Sequence, residues 1–344
     1  MKKNVMITGA TGYIGSWVAK KLLEKNYNLR ITVRDAKNKS KVQHLIDIAE
    51  KNGSKIELFE ADLMKEGSFD EAAKGCEIVV HVASPFFLNV KDAKKDLIQP
   101  ALQGTKNVLS AATKSGTVKR VVLTSSVAAV HGDNIDMKIK GLTEFTEENF
   151  NDSSSETHQP YSYSKVLAEK EAWKIAENQN QWDLVVINPS FVLGPSLTNL
   201  SASESLTFMK DMLTGKFQMG APALFFGFVD VRDVAEAHVL AIENQTAEGR
   251  NITSERVMSV MDLAEIIRNK YGKKYKLPVM KSPKFMLYMI GWMFGLSTKF
   301  VKRNIGYPIK LNNRKSIEKL GLKYTEMQKT VIDMVEQMEE QKVI

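Results

Sequence analysis

The run Val5-Met6-Ile7-Thr8 passes without a break into Gly9-Ala10-Thr11-Gly12-Tyr13-Ile14-Gly15, and nothing else in the chain restricts its fold as much. A short apolar β-run, three glycines at this spacing and a helical pattern behind them read as the opening strand, turn and helix of a βαβ unit. Each glycine has a task. Gly9 lets the chain turn tightly off the strand, Gly12 lets backbone approach a pyrophosphate, and Gly15 lets helix and strand pack closely. The phosphates would rest at the start of the helix from Tyr13, where unpaired N–H groups and the helix dipole favour negative charge. Gly9, Thr11, Gly12, Tyr13, Ile14 and Gly15 are therefore expected to hold a dinucleotide.

The same alternation continues. Strands are expected at 29–33, 56–60, 78–82, 121–125 and 184–188, with helices at 13–25, 41–52, 69–74, 92–115 and 161–177 between them. The β-runs are short and rich in valine and isoleucine, as parallel strands covered on both faces are. The fold class is α/β, a doubly wound parallel (Rossmann) sheet with a smaller C-terminal substrate lobe. Residues 1–190 form the nucleotide-binding domain, 228–253 return to its sheet, and 191–227 with 254–344 form the lobe. The polar stretch 131–160 reads as a loop over the sheet edge. The longest apolar stretch, 285–296, has 12 residues and two glycines, against about 20 for a bilayer span. It is read as a buried helix of the lobe or as a surface that meets a partner or a membrane interface.

Lysine and arginine exceed aspartate and glutamate by 48 to 40. The basic residues look scattered and are not interleaved with aromatics, so no nucleic-acid partner is expected. A lone cysteine, Cys76, allows neither an intrachain disulfide nor a zinc cluster, and the apolar run at Val5-Met6-Ile7 is too short for an export signal. The expectation is a cytoplasmic protein without a metal.

The second strand ends in Arg34-Asp35, where an acidic residue would hold the ribose of NAD. Arg34 can make bidentate contacts to a 2′-phosphate, and Lys41 lies in the same connection, so NADP is favoured; in the alternative Asp35 takes the ribose. Asp62 and Leu63 would border the adenine, and Val82, Ala83 and Ser84 the nicotinamide ribose. Tyr161 and Lys165 share one face of a helix start. A nearby ammonium lowers a phenol's pKa, so Lys165 could bring Tyr161 into the range of a general acid. A hydroxyl from Thr124-Ser125-Ser126 at a strand end could steady the developing alkoxide.

Together with Asn188-Pro189-Ser190, Gly194-Pro195 and Phe228-Val229-Asp230-Val231-Arg232-Asp233-Val234, these motifs resemble the extended short-chain dehydrogenases/reductases, in particular the dihydroflavonol 4-reductase and cinnamoyl-CoA reductase group. The resemblance implies an NADPH-dependent reductase of aldehydes or ketones, monomeric or homodimeric, with Ser126, Tyr161 and Lys165 as its triad. Tyr161 would protonate the carbonyl oxygen and Lys165 would hold the nicotinamide ribose. It also places Thr124, Pro189, Ser190 and Val192 on the cofactor. Phe86, Phe87, Phe191, Phe225 and Phe226 would form an apolar substrate pocket, and His131 either borders the substrate or caps the loop. Phe191 stands where epimerases have asparagine, and Ser196-Leu197-Thr198-Asn199-Leu200 where cinnamoyl-CoA reductases carry a histidine and lysine for the CoA tail; both weigh against those substrates. Oxidation of a secondary alcohol such as a hydroxysteroid or sterol, and a non-catalytic NADP-sensing regulator, are the alternatives.

Overall fold

In the computed structural model, which describes residues 3–84, 92–198 and 203–344, the first strand sends Val5 and Ile7 into one hydrophobic cluster and Met6 into another. That period of two marks a strand buried on both faces. The elements run β1 (Asn4–Thr8), α1 (Tyr13–Glu24), β2 (Asn28–Val33), α2 (Gln43–Lys51), β3 (Ile56–Glu60), α3 (Asp70–Ala73), β4 (Ile78–His81), α4 (Gln99–Lys114), β5 (Arg120–Thr124), α5 (Asp136–Ile139), α6 (Pro160–Glu177) and β6 (Asp183–Pro189). They continue with β7 (Phe191–Leu193), α7 (Glu204–Leu213), β8 (Phe225–Asp230), α8 (Val231–Glu243), β9 (Gly249–Thr253), β10 (Arg256–Ser259), α9 (Val260–Tyr271), α10 (Lys284–Ile290), α11 (Thr298–Asn304), α12 (Arg314–Glu318) and α13 (Met327–Glu340).

Seven strands pair in parallel in the order β3-β2-β1-β4-β5-β6-β9. One face packs on α1, α2 and α8, the other on α3, α4 and α6. Val18, Ala19, Leu22 and Leu23 form the buried stripe of α1, spaced as one helical face requires. This is a doubly wound Rossmann sheet. A second sheet, β10-β8-β7, has its own core with α7, α9 and α13, and a capping box between Ser259 and Asp262 starts α9.

Three expectations change. The strand beginning near Phe228 does not return to the large sheet: Phe225–Asp230 joins the small one, and only α8 and β9 go back. An apolar β-run is compatible with either sheet, and pairing partners decide. The stretch 131–160 is loop for most of its length, but it includes the short helix α5 and buries the polar groups of Asp133, Asn151 and His158. The apolar stretch 285–296 is not a buried helix. It forms α10 and a 3₁₀ turn at Gly291–Phe294; Leu287 is buried against Leu224, Val301 and Ile305, while Phe285, Met289 and Trp292 face solvent. A helix of seven residues over so small a cluster can bury only one stripe.

Candidate active site

The strand order reverses between β1 and β4, and at such a switch point an α/β sheet opens its crevice at the C-terminal strand ends. The glycine turn lies there. Gly9 has φ +74°, and a Cβ on it would stand 2.6 Å from the amide nitrogen of Ala83; one on Gly15 would stand 2.1 Å from the carbonyl oxygen of Gly9. Only glycine fits either place. Amides in the first turn of α1 lack intrahelical partners and remain for an anion. The Tyr13 hydroxyl donates to the Gly194 carbonyl at 2.6 Å, so this residue can offer a phosphate its main chain alone. Ile14 packs partly against the sheet core.

At the end of β2, Arg34 and Lys41 are exposed, and neither forms an ion pair among the described residues. Asp35 is engaged by its own loop: its Oδ1 accepts the amides of Lys37 at 2.9 Å and Asn38 at 3.4 Å. Available cations beside an occupied carboxylate suit a 2′-phosphate. Asp62 accepts the Met64 amide at 2.8 Å, and Leu63 packs where α4 approaches at Gly104. Val82, Ala83 and Ser84 follow β4 half-buried. Thr8 Oγ1 accepts the Ala83 amide at 3.1 Å and hydrogen-bonds His81 Nδ1 at 2.7 Å.

Ser126 starts a 3₁₀ turn just after β5, its Oγ accepting the Ala128 amide at 3.1 Å. The neighbouring Ser125 hydroxyl is committed to Glu169 in the interior. Tyr161 and Lys165 lie in the first turns of α6, with Lys165 Nζ 5.8 Å from the centroid of the Tyr161 ring. Although Tyr161 is 37% exposed, burial around its hydroxyl pushes its pKa up to about 12, and a hydrogen bond with Ser126 opposes the rise. Lys165 is buried, which lowers its pKa to about 8 against the pull of Glu169. The expected downward shift of the phenol by Lys165 is therefore not what governs Tyr161. The ammonium stands over the ring, its own proton loosened by burial.

Thr124 turns elsewhere, its Oγ1 bonding His238 Nε2 at 2.7 Å beneath the sheet, so it too has only main chain to offer a cofactor. Pro189 closes β6 beside Thr253, and Val192 packs with Tyr13 and Val229. Ser190 is buried, and its Oγ has no partner among the described residues. Phe191 and Phe226 meet with ring centroids 5.8 Å apart, half-buried as a pocket wall would be, and Phe225 is equally half-buried. His131 stacks on Phe145 at 4.7 Å; burial lowers its pKa to about 4. Phe86 and Phe87 lie outside the described residues.

Two supports escaped the sequence reading. Glu169, fully buried, receives Arg250 Nε at 2.5 Å, Asn188 Nδ2 at 2.8 Å and the Ser125 hydroxyl, fastening α6 to the ends of β5, β6 and β9. A signal was present, since Glu169 continues the Tyr161, Lys165 spacing by another turn. The second is Asp133, which accepts His158 Nε2 at 2.9 Å, Gln159 Nε2 at 2.7 Å, Asn304 Nδ2 at 2.7 Å and Arg303. Hydrogen bonds from Arg303, Asn304 and His158 outweigh its burial and hold it below the usual carboxylate range. Gln159 immediately precedes α6 with φ 54°. Asp133 thus pins the left-handed residue that aims Tyr161.

Residues 5–253 match the NAD dependent epimerase/dehydratase family. A cinnamoyl-CoA reductase of Medicago truncatula is 37% identical over 98% of this chain and 96% of its own length. A bifunctional dihydroflavonol 4-reductase/flavanone 4-reductase of Malus domestica is 36% identical over 80% of this chain and 78% of its own. The crystal structure of Gre2 from Candida albicans in complex with NADPH superposes with a TM-score of 0.76 at 31% identity, covering 98% of this chain and 99% of that one. The chain belongs to the NAD dependent epimerase/dehydratase family, among its extended short-chain reductases and within the dihydroflavonol 4-reductase and cinnamoyl-CoA reductase-like group.

Proposed function

We propose that this protein reduces aldehydes or ketones to alcohols with NADPH, and that Ser126, Tyr161 and Lys165 handle the proton. The observation that carries this reading is a phenol that burial keeps protonated, hydrogen-bonded to Ser126 and one helical turn from Lys165. NADPH, when bound, supplies the hydride that goes to the carbonyl carbon.

The chain's residues do the rest. Amides of the Gly9 to Gly15 turn hold the pyrophosphate, and Arg34 with Lys41 holds the 2′-phosphate. Ser190, whose buried hydroxyl has no partner among the described residues, stands at the nicotinamide end. Lys165 holds the ribose hydroxyls. Ser126 donates to the substrate oxygen, and Tyr161 gives that oxygen its proton as charge develops there.

Direction depends on cofactor poise, and the exposed cations Arg34 and Lys41 at the end of β2 favour NADPH and with it reduction. The half-buried aromatic wall of Phe191 and Phe226 favours an apolar carbonyl compound. NADPH consumption on a panel of aldehydes and ketones, by wild type and by Tyr161→Phe, tests the reading. Turnover by wild type that collapses in the variant is expected. Tight NADPH binding with no turnover on any member would transfer the protein to the sensor class.

A further inference from the structure

Scattered as the basic residues look, they are not evenly spread. Between Glu265 and Glu318 lie 52 residues without one aspartate or glutamate and with 13 lysines or arginines, so the remainder of the chain carries a net charge of −5 against +8 overall. That segment also carries the exposed apolar face of α10 and the 3₁₀ turn behind it. Phe285, Met289, Trp292 and Met293 are each 65% to 74% exposed, and no charged residue occurs from Phe285 to Thr298. Lys281 precedes this face; Lys299 and Lys302 stand on α11, which packs against α10 through Leu287, Val301 and Ile305. All three are exposed and form no ion pair among the described residues. Elsewhere in the segment, Lys274 pairs with Glu339, Arg303 with Asp133 and Asp136, and Lys310 and Arg314 with Glu144. Arg268, Lys270, Lys273, Lys276 and Lys315 are likewise without an ion pair among the described residues, so the segment as a whole is an unneutralised basic surface, and Lys281, Lys299 and Lys302 are the exposed charges that flank the apolar face.

We infer that this face docks the protein onto an anionic phospholipid surface. Aromatic and methionine side chains enter the headgroup boundary, and lysines reach the phosphates around them. The chemistry favours lipid over an acidic protein. Ten of the 13 basic residues are lysines, which protein interfaces exclude and membrane surfaces attract. Tryptophan, tyrosine and phenylalanine are the residues that settle at headgroup level. Among the described residues no helix is long and apolar enough to cross a membrane, so the protein lies on the surface.

The test uses the whole chain with vesicles of phosphatidylcholine alone or with about 30 mol % phosphatidylglycerol, at low and at about 0.5 M salt. Sedimentation with the anionic vesicles, release by salt and a blue shift of Trp292 emission are expected. The double variant Met289→Ser/Trp292→Ala removes the apolar insertion. The triple variant Lys281→Glu/Lys299→Glu/Lys302→Glu should weaken partitioning more than about tenfold, since each lysine near the surface contributes about fivefold. Turnover on a water-soluble carbonyl substrate should be unchanged in both. Equal binding to neutral and anionic vesicles, or retention of wild-type binding by either variant, would overturn the assignment. So would a dimer that Met289→Ser/Trp292→Ala dissociates while wild type ignores both vesicles, since a second copy then covers the face.

Discussion

Burial lowers the pKa of Lys165 to about 8, and Glu169, one helical turn further along α6, is the charge that opposes the fall. Removing that charge by Glu169→Gln should let the ammonium lose its proton more readily, so the alkaline limb of kcat/KM moves down by about one pH unit. The same change leaves Arg250 buried beside a neutral amide, at a cost of about 3–5 kcal/mol, so Tm also falls. Glu169→Asp keeps the charge and should restore the limb. A limb that stays in place in Glu169→Gln would reduce Glu169 to a brace of the sheet.

Tyr161→Phe should lower kcat by two or more orders of magnitude with NADPH affinity nearly kept, because only the proton donor is lost. Lys165→Ala should damage both turnover and NADPH affinity. Titration of each variant with NADPH separates the two, and an intact cofactor affinity in Lys165→Ala would refute the double role of that residue.

Arg34→Ala should weaken NADPH much more than NADH. Oδ1 of the neighbouring Asp35 accepts the amides of Lys37 and Asn38. Parallel Kd measurements for the two nucleotides check this, with equal weakening as the contrary result.

Three histidines with desolvated rings make the fold sensitive to acid. Burial lowers the pKa of His81 to about 3 and of His131 and His238 to about 4, below the ordinary 6.5. The folded state therefore keeps them neutral while the unfolded chain takes up protons. Their contribution is intact above pH 6.5 and is lost as pH falls through that value towards 4. Each adds a slope of about 1.4 kcal/mol per pH unit in that window. His238→Gln should reduce the slope of unfolding free energy by about that amount, read from urea melts at a series of pH values.

What the sequence made legible was local. The glycine turn and the Tyr161, Lys165 pair are patterns over a few residues, each tied to a strand end or a helix start. Spacing put Glu169 on the face of Tyr161 and Lys165, but its role and that of Asp133 were not legible, because they lie in partners such as Arg250 and Arg303, which only folding brings near. The apolar run after Phe285 shows the other limit. Hydrophobicity reports that a surface avoids water, and packing decides which faces find protein to lie against. The strand at Phe225–Asp230 was ambiguous for the same reason, since either sheet would accept it.

Under the proposed function one helix, α1, serves both halves of the chemistry. Its leading end offers amides to the nucleotide's phosphates, while along its side the Tyr13 hydroxyl and the Trp17 indole grip the carbonyls of Gly194 and Pro195 at 2.6 and 2.8 Å. The glycine turn and the segment that follows β7 are thereby registered against a single rigid rod. A lesion that tilts it is expected to disturb nucleotide grip and that segment in one stroke, however far from the reacting atoms it falls.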